Sequence, residues 1–259
     1  DHGIKVEGLG IDLAKMLARK DQVVKQNNDG ILYLFKKNKV RFFHGKGAFS
    51  GQVEGGWAIK VTGTTEEDLV AKHVVVATGS SARELPGLPF DEKVVLSNDG
   101  ALNIGAVPKT LGVIGAGVIG LEMGSVWRRL GSDVTILEAM PEFLAAADGQ
   151  VAKEALKAFT KQGLNIQMGV KIGEIKATAK SVTVPYVDAK GAEQKLVVDK
   201  LIVSIGRVPY TGGLNADAVG LKLDERGFVA VDADCKTNLP NVWACLLYTS
   251  PSPRDATLS

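Results

Sequence analysis

Cysteine is scarce in this chain of 259 residues: Cys235 and Cys245 are the only two, and histidine occurs three times. Two late cysteines make neither a disulfide framework nor a metal site by their spacing, and no C-x-x-x-x-C pair is present. A reducing compartment is the default expectation, and no metal ligand set is expected. Charge of one sign is also missing. The formal net charge is +2, with Lys and Asp/Glu interspersed, which argues against a nucleic-acid partner or an anionic membrane surface. No apolar run approaches the ~20 residues of a membrane span. Asp1-His2-Gly3 has neither a Met nor the charged-then-apolar pattern of a signal peptide. What remains, 45% hydrophobic and 23% charged, is enough for a sizeable core and roughly one or two domains.

What the sequence does have is glycine at telling positions. Lys109–Met140 reads as strand, glycine turn, helix, glycine stop and strand. Leu111–Ile114 is the first strand, and Gly115, Gly117 and Gly120 form G-x-G-x-x-G directly after it. Ile119–Leu130 carries an apolar helical face, Gly131 stops it, and Val134–Leu137 is a second strand ending in Glu138. A lone glycine triplet is weak; in this context it predicts a dinucleotide site rather than a merely structural βαβ unit. Gly115 serves the tight turn, Gly117 the approach of backbone to a pyrophosphate, and Gly120 close helix–sheet packing. The helix N-terminus offers unpaired N–H groups and partial positive charge. Glu138 is suited to accept from both ribose hydroxyls and to repel a 2′-phosphate. No Lys or Arg stands in Ala139-Met140-Pro141, so NAD(H) is expected rather than NADP(H).

Along the rest of the chain, Ile4–Gly30 shows helical spacing, with Asp12 as a cap. The pattern continues through Lys37 with a local break expected near Asn27–Gly30. Val40–Gly45 reads as a strand. Ala48–Val53, Trp57–Thr62 and Leu69–Val76 read as a small antiparallel meander with a hairpin at Gly55-Gly56. His44 has no partner at a catalytic spacing and reads as structural rather than catalytic. His73–Ala77 is an apolar strand running into Thr78-Gly79-Ser80-Ser81, small residues at a strand's carboxyl end, where α/β sheets bind ligands. Ser97–Val107 reads as a short helix and linker. Gln150–Gln162 reads as a helix with Val151, Leu156 and Phe159 inward, and Leu164–Met168 as a third parallel strand. Ser181–Tyr186 and Gln194–Val198 form an antiparallel excursion, and Lys200–Ser204 returns to the sheet. Gly206 puts bare backbone at that strand's end. Arg207 is either a phosphate or interface cation or a solvated one. Phe228–Val231 is a further short strand. The alternation describes two α/β units with antiparallel insertions.

Together these stretches resemble the pyridine-nucleotide-disulfide oxidoreductases. The residues that carry the resemblance are Gly45-Lys46-Gly47, Val75 to Ser80, Val113 to Glu122, Gly124-Ser125-Val126-Trp127, Ile205 to Thr211, and Lys236-Thr237 through Trp243-Ala244. The resemblance implies two Rossmann-like, three-layer FAD/NAD(P)-binding domains with antiparallel β-meanders, the NAD domain inserted in a partial FAD domain. The expected boundaries are 1–106 for the partial FAD domain, 107–226 for the NAD domain and 227–244 for the return to the FAD domain. It implies FAD and NAD as cofactors, a homodimer, and passage of electrons from a dihydrolipoyl thiol pair through an enzyme disulfide and FAD to NAD. A lipoyl domain of a 2-oxo-acid dehydrogenase complex is the implied partner, in a bacterial cytoplasm or mitochondrial matrix. Carried over by residue, Gly115, Ala116, Gly117, Val118, Ile119, Gly120, Leu121, Glu122, Glu138, Ile172 and Gly206 line the NAD site, and Gly47, Thr78, Gly79 and Ser80 touch FAD. Glu122 matches a glutamate that pairs with a lysine beside the flavin; the alternative is an exposed first-turn carboxylate favoured by the helix dipole.

The departures matter equally. The family's first flavin fingerprint and redox cysteine pair would lie upstream of Asp1, so Cys235 is read as non-catalytic. After Ala244 the family continues with a small apolar residue and Gly-Asp. Here Cys245–Ser259 breaks the pattern and reads like a translated adapter, a non-native tail. The chain is therefore expected to be an internal piece without lipoamide turnover of its own. Two rivals remain open: another disulfide reductase of the family, such as a mercuric or glutathione reductase, and a non-enzymatic NAD-binding module.

Overall fold

The computed structural model describes residue 8 and residues 10–245. Helix α1 spans Leu13–Lys37 without interruption. It is capped by Asp12, whose Oδ1 accepts from the Lys15 N–H at 3.0 Å. The expected break at Asn27–Gly30 does not occur. Those residues weaken a helix by roughly 1 kcal/mol at most for Gly, but none removes a backbone donor as proline would. Nor is Val40–His44 a strand. Its apolar groups meet other partners: Phe42 stacks on Phe35 of α1 at 5.7 Å, and the Arg41 guanidinium lies over Phe43 at 4.8 Å.

A meander follows, of β1 (Gly45–Val53), β2 (Gly56–Gly63) and β3 (Glu67–Ala71). A bulge between Phe49 and Gly51 interrupts the β1–β2 register. The Phe49 backbone freed there is satisfied from outside the sheet, its N–H donating to Leu214 O at 3.0 Å and its carbonyl accepting from Asn215 Nδ2 at 3.1 Å. The stretch expected as one strand to Val76 is split, because β4 (Val74–Val76) leaves the meander. Next come β5 (Ser80–Ala82), β6 (Val95–Leu96) and the short α2 (Asn98–Ala101). Asp91 shapes the loop before β6 by accepting from the N–H groups of Lys93, Val94 and Val95, each at 2.8 Å. Burial works to raise its pKa, but those three donors and the Lys93 charge outweigh it and hold the carboxyl below its ordinary range.

The central run is β7 (Thr110–Ile114), α3 (Val118–Arg129), β8 (Asp133–Leu137), α4 (Gly149–Lys161) and β9 (Asn165–Gln167). Of the side chains expected inward on α4, Val151 is 61% exposed and Ala152 is buried instead. Asp148 starts the helix by capping the N–H groups of Gln150 and Val151, and the buried face runs through Ala152 and Phe159. An antiparallel sheet follows, of β10 (Lys171–Ile172), β11 (Lys176–Ala177), β12 (Val182–Val187) and β13 (Glu193–Val198), before β14 (Lys200–Val203). The chain closes with β15 (Arg207–Pro209), α5 (Ala216–Val219) and β16 (Val242–Ala244). Phe228–Val231 forms no strand, only an isolated bridge from Val229 to Leu223. The Asp224 carboxylate takes the Arg226 and Phe228 N–H groups at 2.9 and 2.8 Å, closing a turn where a ladder was expected.

The chain forms two compact units. Of the described residues, the first takes in those up to Gln26 and Ala82–Gly206; the second takes in Asn27–Ser81 and those from Arg207 on. The edges thus differ from those expected at 107 and 226. Strand β6 is hydrogen-bonded into the first unit's sheet, whereas Leu214, Ala216 and Leu221 belong to the second unit's core. The first unit's sheet is parallel, in the order β6-β14-β7-β8-β9. Its apolar strands are buried on both faces, with Leu111, Val113, Val134, Ile136, Leu201 and Ile202 each at 0% exposure. The second unit's core joins Phe49 and Trp57, edge to face at 5.6 Å, to Val76, Val242 and Ala244 of the parallel β4–β16 pair.

Candidate functional site

In the first unit's sheet the chain runs outward from β7 to β8 and β9, then returns as β14 on the other side of β7. The strand order therefore reverses at β7, and an α/β sheet opens its ligand crevice at the carboxyl ends of strands at such a point. The glycine turn of Gly115, Gly117 and Gly120 sits there, between β7 and α3.

The three glycines differ in what surrounds them. Gly115 has φ +102°, and a Cβ on it would stand 2.5 Å from the Ser204 carbonyl oxygen. A Cβ on Gly120 would overlap the Gly115 carbonyl oxygen and lie 2.6 Å from Ser204 Oγ. Both positions are closed by the protein itself. Gly117 is the opposite: its φ is −72°, accessible to any residue, and a Cβ there would meet nothing within 4 Å. Protein packing does not explain that glycine. Its bare backbone faces open space at the start of α3, a cradle that a side chain would fill. No side chain caps this helix and no acid stands in its first turn, so its leading N–H groups and partial positive charge face the same space.

Glu138 follows β8 and reaches into this turn. Its Oε2 accepts from the Ala116 N–H at 2.7 Å and its Oε1 from the Met140 N–H at 2.8 Å. Its own backbone is fixed on both sides, the N–H to Gln167 O at 2.8 Å and the carbonyl to Val170 N at 3.0 Å. A carboxylate offers about four acceptor positions, so two remain for hydroxyl donors. Glu138 itself is half-buried, and Ala139 and Met140 after it are exposed.

The structure thus brings Gly115 to Leu121 and Glu138 into one constellation at adjacent strand ends. Gly206, at φ +117°, follows β14, and Ser204 between them abuts Gly115. Ile172 lies on the antiparallel sheet, packed on the core cluster that includes Ile114 and Leu137, and lines an open groove of about 410 Å³ with Tyr186 and Pro185. Glu122 is exposed on α3 but lies beyond its first turn, so the dipole reading of that carboxylate does not apply.

In the second unit, Gly79 has φ +75° and its carbonyl accepts from the Tyr210 N–H at 3.0 Å. Thr78 Oγ1 donates to Tyr210 O at 2.5 Å. Arg207 is held rather than solvated, its Nε donating to Ser80 Oγ and its Nη2 to Ser80 O, both at 2.6 Å. Gly47 pairs with Val61 in the exposed part of β1. His44 is exposed, its ring 6.0 Å from Phe42.

Sequence reasoning passed over Ser204. Its Oγ lies 3.0 Å from Ile114 O and 3.2 Å from Gly115 O, and its N–H donates to Ile114 O at 2.8 Å. The available signal was a small polar residue closing an apolar strand two positions before Gly206.

A parallel sheet, a glycine turn at its reversal point and an acid at the next strand end define an α/β unit of the dinucleotide-binding class. The pyridine nucleotide-disulphide oxidoreductase family model matches residues 4–245, and the chain belongs to that family. It is 55% identical over 244 residues to a dihydrolipoyl dehydrogenase of Cupriavidus necator, covering 94% of this chain and 51% of that protein. It is 40% identical to the mitochondrial dihydrolipoyl dehydrogenase 1 of Arabidopsis thaliana, over 94% of this chain and 48% of the relative. Among solved structures, the HOCl-induced flavoprotein disulfide reductase RclA of Escherichia coli superposes with a TM-score of 0.75 at 27% identity, over 90% of this chain and 52% of that one. The chain spans about half the length of the curated relatives it matches. Among the described residues, no helix is long and apolar enough to cross a membrane.

Proposed function

We propose that this chain is part of an enzyme that oxidises dihydrolipoamide to lipoamide, with FAD and NAD as successive electron acceptors. The first unit is the NAD(H)-binding part and the second is part of the flavin-binding part. In the overall reaction two thiols lose two electrons and two protons as the S–S bond forms. NAD accepts both electrons with one proton, and the other proton goes to solvent. The flavin supplies the two-electron relay between thiols and nicotinamide. The chain's own contribution is binding and orientation. The glycine turn presents the α3 N-terminus to the pyrophosphate, and Glu138 accepts from the adenosine ribose hydroxyls. Thr78 donates its proton to Tyr210 and keeps lone pairs; Ser80 accepts from Arg207 and keeps its proton. With Gly79 and Gly47 they are the groups we assign to the flavin side. Glu122 is assigned as the partner of a lysine beside the flavin.

A lipoyl domain of a 2-oxo-acid dehydrogenase complex is the proposed electron donor, a second copy the proposed dimer partner, and a bacterial cytoplasm or mitochondrial matrix the proposed setting. The 259 residues contain no cysteine pair at C-x-x-x-x-C spacing, so they are expected to bind NAD(H) without turning over lipoamide.

The observation that carries the reading is the Glu138 carboxylate, bonded at 2.7 Å to the Ala116 N–H of the turn it is meant to serve. Fluorescence titration tests it. The chain should bind NADH more tightly than NADPH. Glu138→Ala should weaken NADH about tenfold, the scale of a lost hydrogen bond to a charged group, while NADPH holds or improves. Equal affinity of the unaltered chain for both nucleotides would contradict the assignment.

A further inference from the structure

We propose that Ser204 is a positioning residue for the pyrophosphate-binding turn: its backbone carbonyl abuts Gly115, its hydroxyl abuts Gly120, and that hydroxyl holds the turn's carbonyls. This inference rests on the reading of that turn as the NAD(H) site.

Ser204 directly follows β14, the neighbour of β7, and so stands beside the turn. Its backbone carbonyl lies where a side chain on Gly115 would begin, 2.5 Å from that Cβ position. Its Oγ lies 2.6 Å from where a Cβ on Gly120 would stand, beneath the first turn of α3. The two glycines and Ser204 are therefore one packing unit made from distant parts of the chain. Ser204 Oγ closes off the Gly120 position together with the Gly115 carbonyl, and a larger side chain at 204 would press on the same turn.

The polar contacts have the same sense. Ile114 O ends β7 and accepts the Ser204 N–H at 2.8 Å; the hydroxyl, 3.0 Å away, has the same oxygen or Gly115 O, at 3.2 Å, to donate to. Gly115 is also held from the opposite side, its N–H donating to Leu137 O at 2.9 Å. Glu138 then takes the N–H of the next residue, Ala116. The turn is thus pinned by β8 and Glu138 on one flank and by Ser204 on the other. Ser204 is half-buried, so its hydroxyl proton has these carbonyls as its fixed partners. Removing that donor leaves the turn's peptide planes less constrained. Those planes aim the N–H groups of Gly117 and its successors. An effect on ligands should therefore fall on pyrophosphate and spare the ribose contacts of Glu138.

The test compares two ligands on the 259-residue chain: ADP-ribose, which has the pyrophosphate, and adenosine, which has the ribose but no phosphate. Both are titrated by ligand-observed NMR, with thermal melting of each variant alongside. Ser204→Ala should weaken ADP-ribose about fivefold, the scale of one hydrogen bond, and leave adenosine unchanged. Ser204→Val, which puts branched carbon against the turn, should weaken ADP-ribose more, by about thirtyfold or beyond. Ser204→Cys, near-isosteric with a weak donor, should fall between wild type and Ser204→Ala. Unchanged ADP-ribose binding in Ser204→Ala and Ser204→Val overturns the inference while leaving the nucleotide site standing. Equal losses for both ligands, tracking the melting temperature, also overturn it, because they indicate a structural role alone. No binding of ADP-ribose by the unaltered chain overturns the nucleotide reading, and the inference with it.

Discussion

Gly120→Ala is expected to destabilise the first unit by roughly 3 kcal/mol and to weaken NADH binding about a hundredfold or more. The added carbon would overlap the Gly115 carbonyl oxygen, which is backbone and cannot rotate aside, and would press on Ser204 Oγ. Relief requires α3 to move away from β7. That movement would pull the helix N-terminus off its aim and open the packing of Leu121 and Trp127 on the sheet. Stability and binding should therefore fall together, in calorimetry and in NADH fluorescence titration. A variant that keeps both would show that the helix is not seated on this turn. Alanine's better helix propensity, less than ~1 kcal/mol over glycine, is too small to offset the overlap.

Trp127→Ala is expected to cost the same unit about 4 kcal/mol while leaving the glycine turn's own hydrogen bonds intact. Trp127 is 2% exposed on the inner face of α3, and its indole N–H donates to the Ala101 carbonyl at 3.1 Å. Ala101 is itself fully buried, so truncation leaves both a cavity and an orphaned carbonyl. Trp127→Phe separates the two effects: most of the packing stays and the hydrogen bond goes, for a loss of about 1–2 kcal/mol. Chemical denaturation followed by circular dichroism reads both. Equal losses in the two variants would assign the role of Trp127 to the hydrogen bond rather than to volume.

The first unit was legible because its signals are local and redundant. Periodicity, three glycines, a stopping glycine and a terminal acid all described one β7-α3-β8 run. What stayed hidden depended on partners remote in sequence. Ser204 is a small residue at a strand end until Gly115 and Gly120 are seen closed against it. Arg207 was undecided between solvent and a ligand, and is instead clamped to Ser80, a residue 127 positions away. Val151 reads as inward by its apolarity, but it lies in the capped first turn, off the face that Ala152 and Phe159 bury. Phe228–Val231 had strand composition, yet Asp224 captured the Phe228 amide in a turn. The edges of the compact units are not readable in the sequence for a similar reason. β6 is only Val95–Leu96, too short to announce that it belongs to the parallel sheet.

If Gly117 is bare to admit a pyrophosphate, as proposed, stability and binding should separate when a side chain is added there. Its backbone angle is ordinary, and nothing lies within 4 Å of its missing side chain. Gly117→Val should therefore leave the chain folded, with the melting temperature lowered by only about a few degrees, since valine caps a helix less well than glycine but meets no neighbour. It should nevertheless reduce NADH affinity by about thirtyfold or more, because its methyl groups would stand where the pyrophosphate approaches. NADH binding equal to wild type in a folded Gly117→Val chain would contradict the claim.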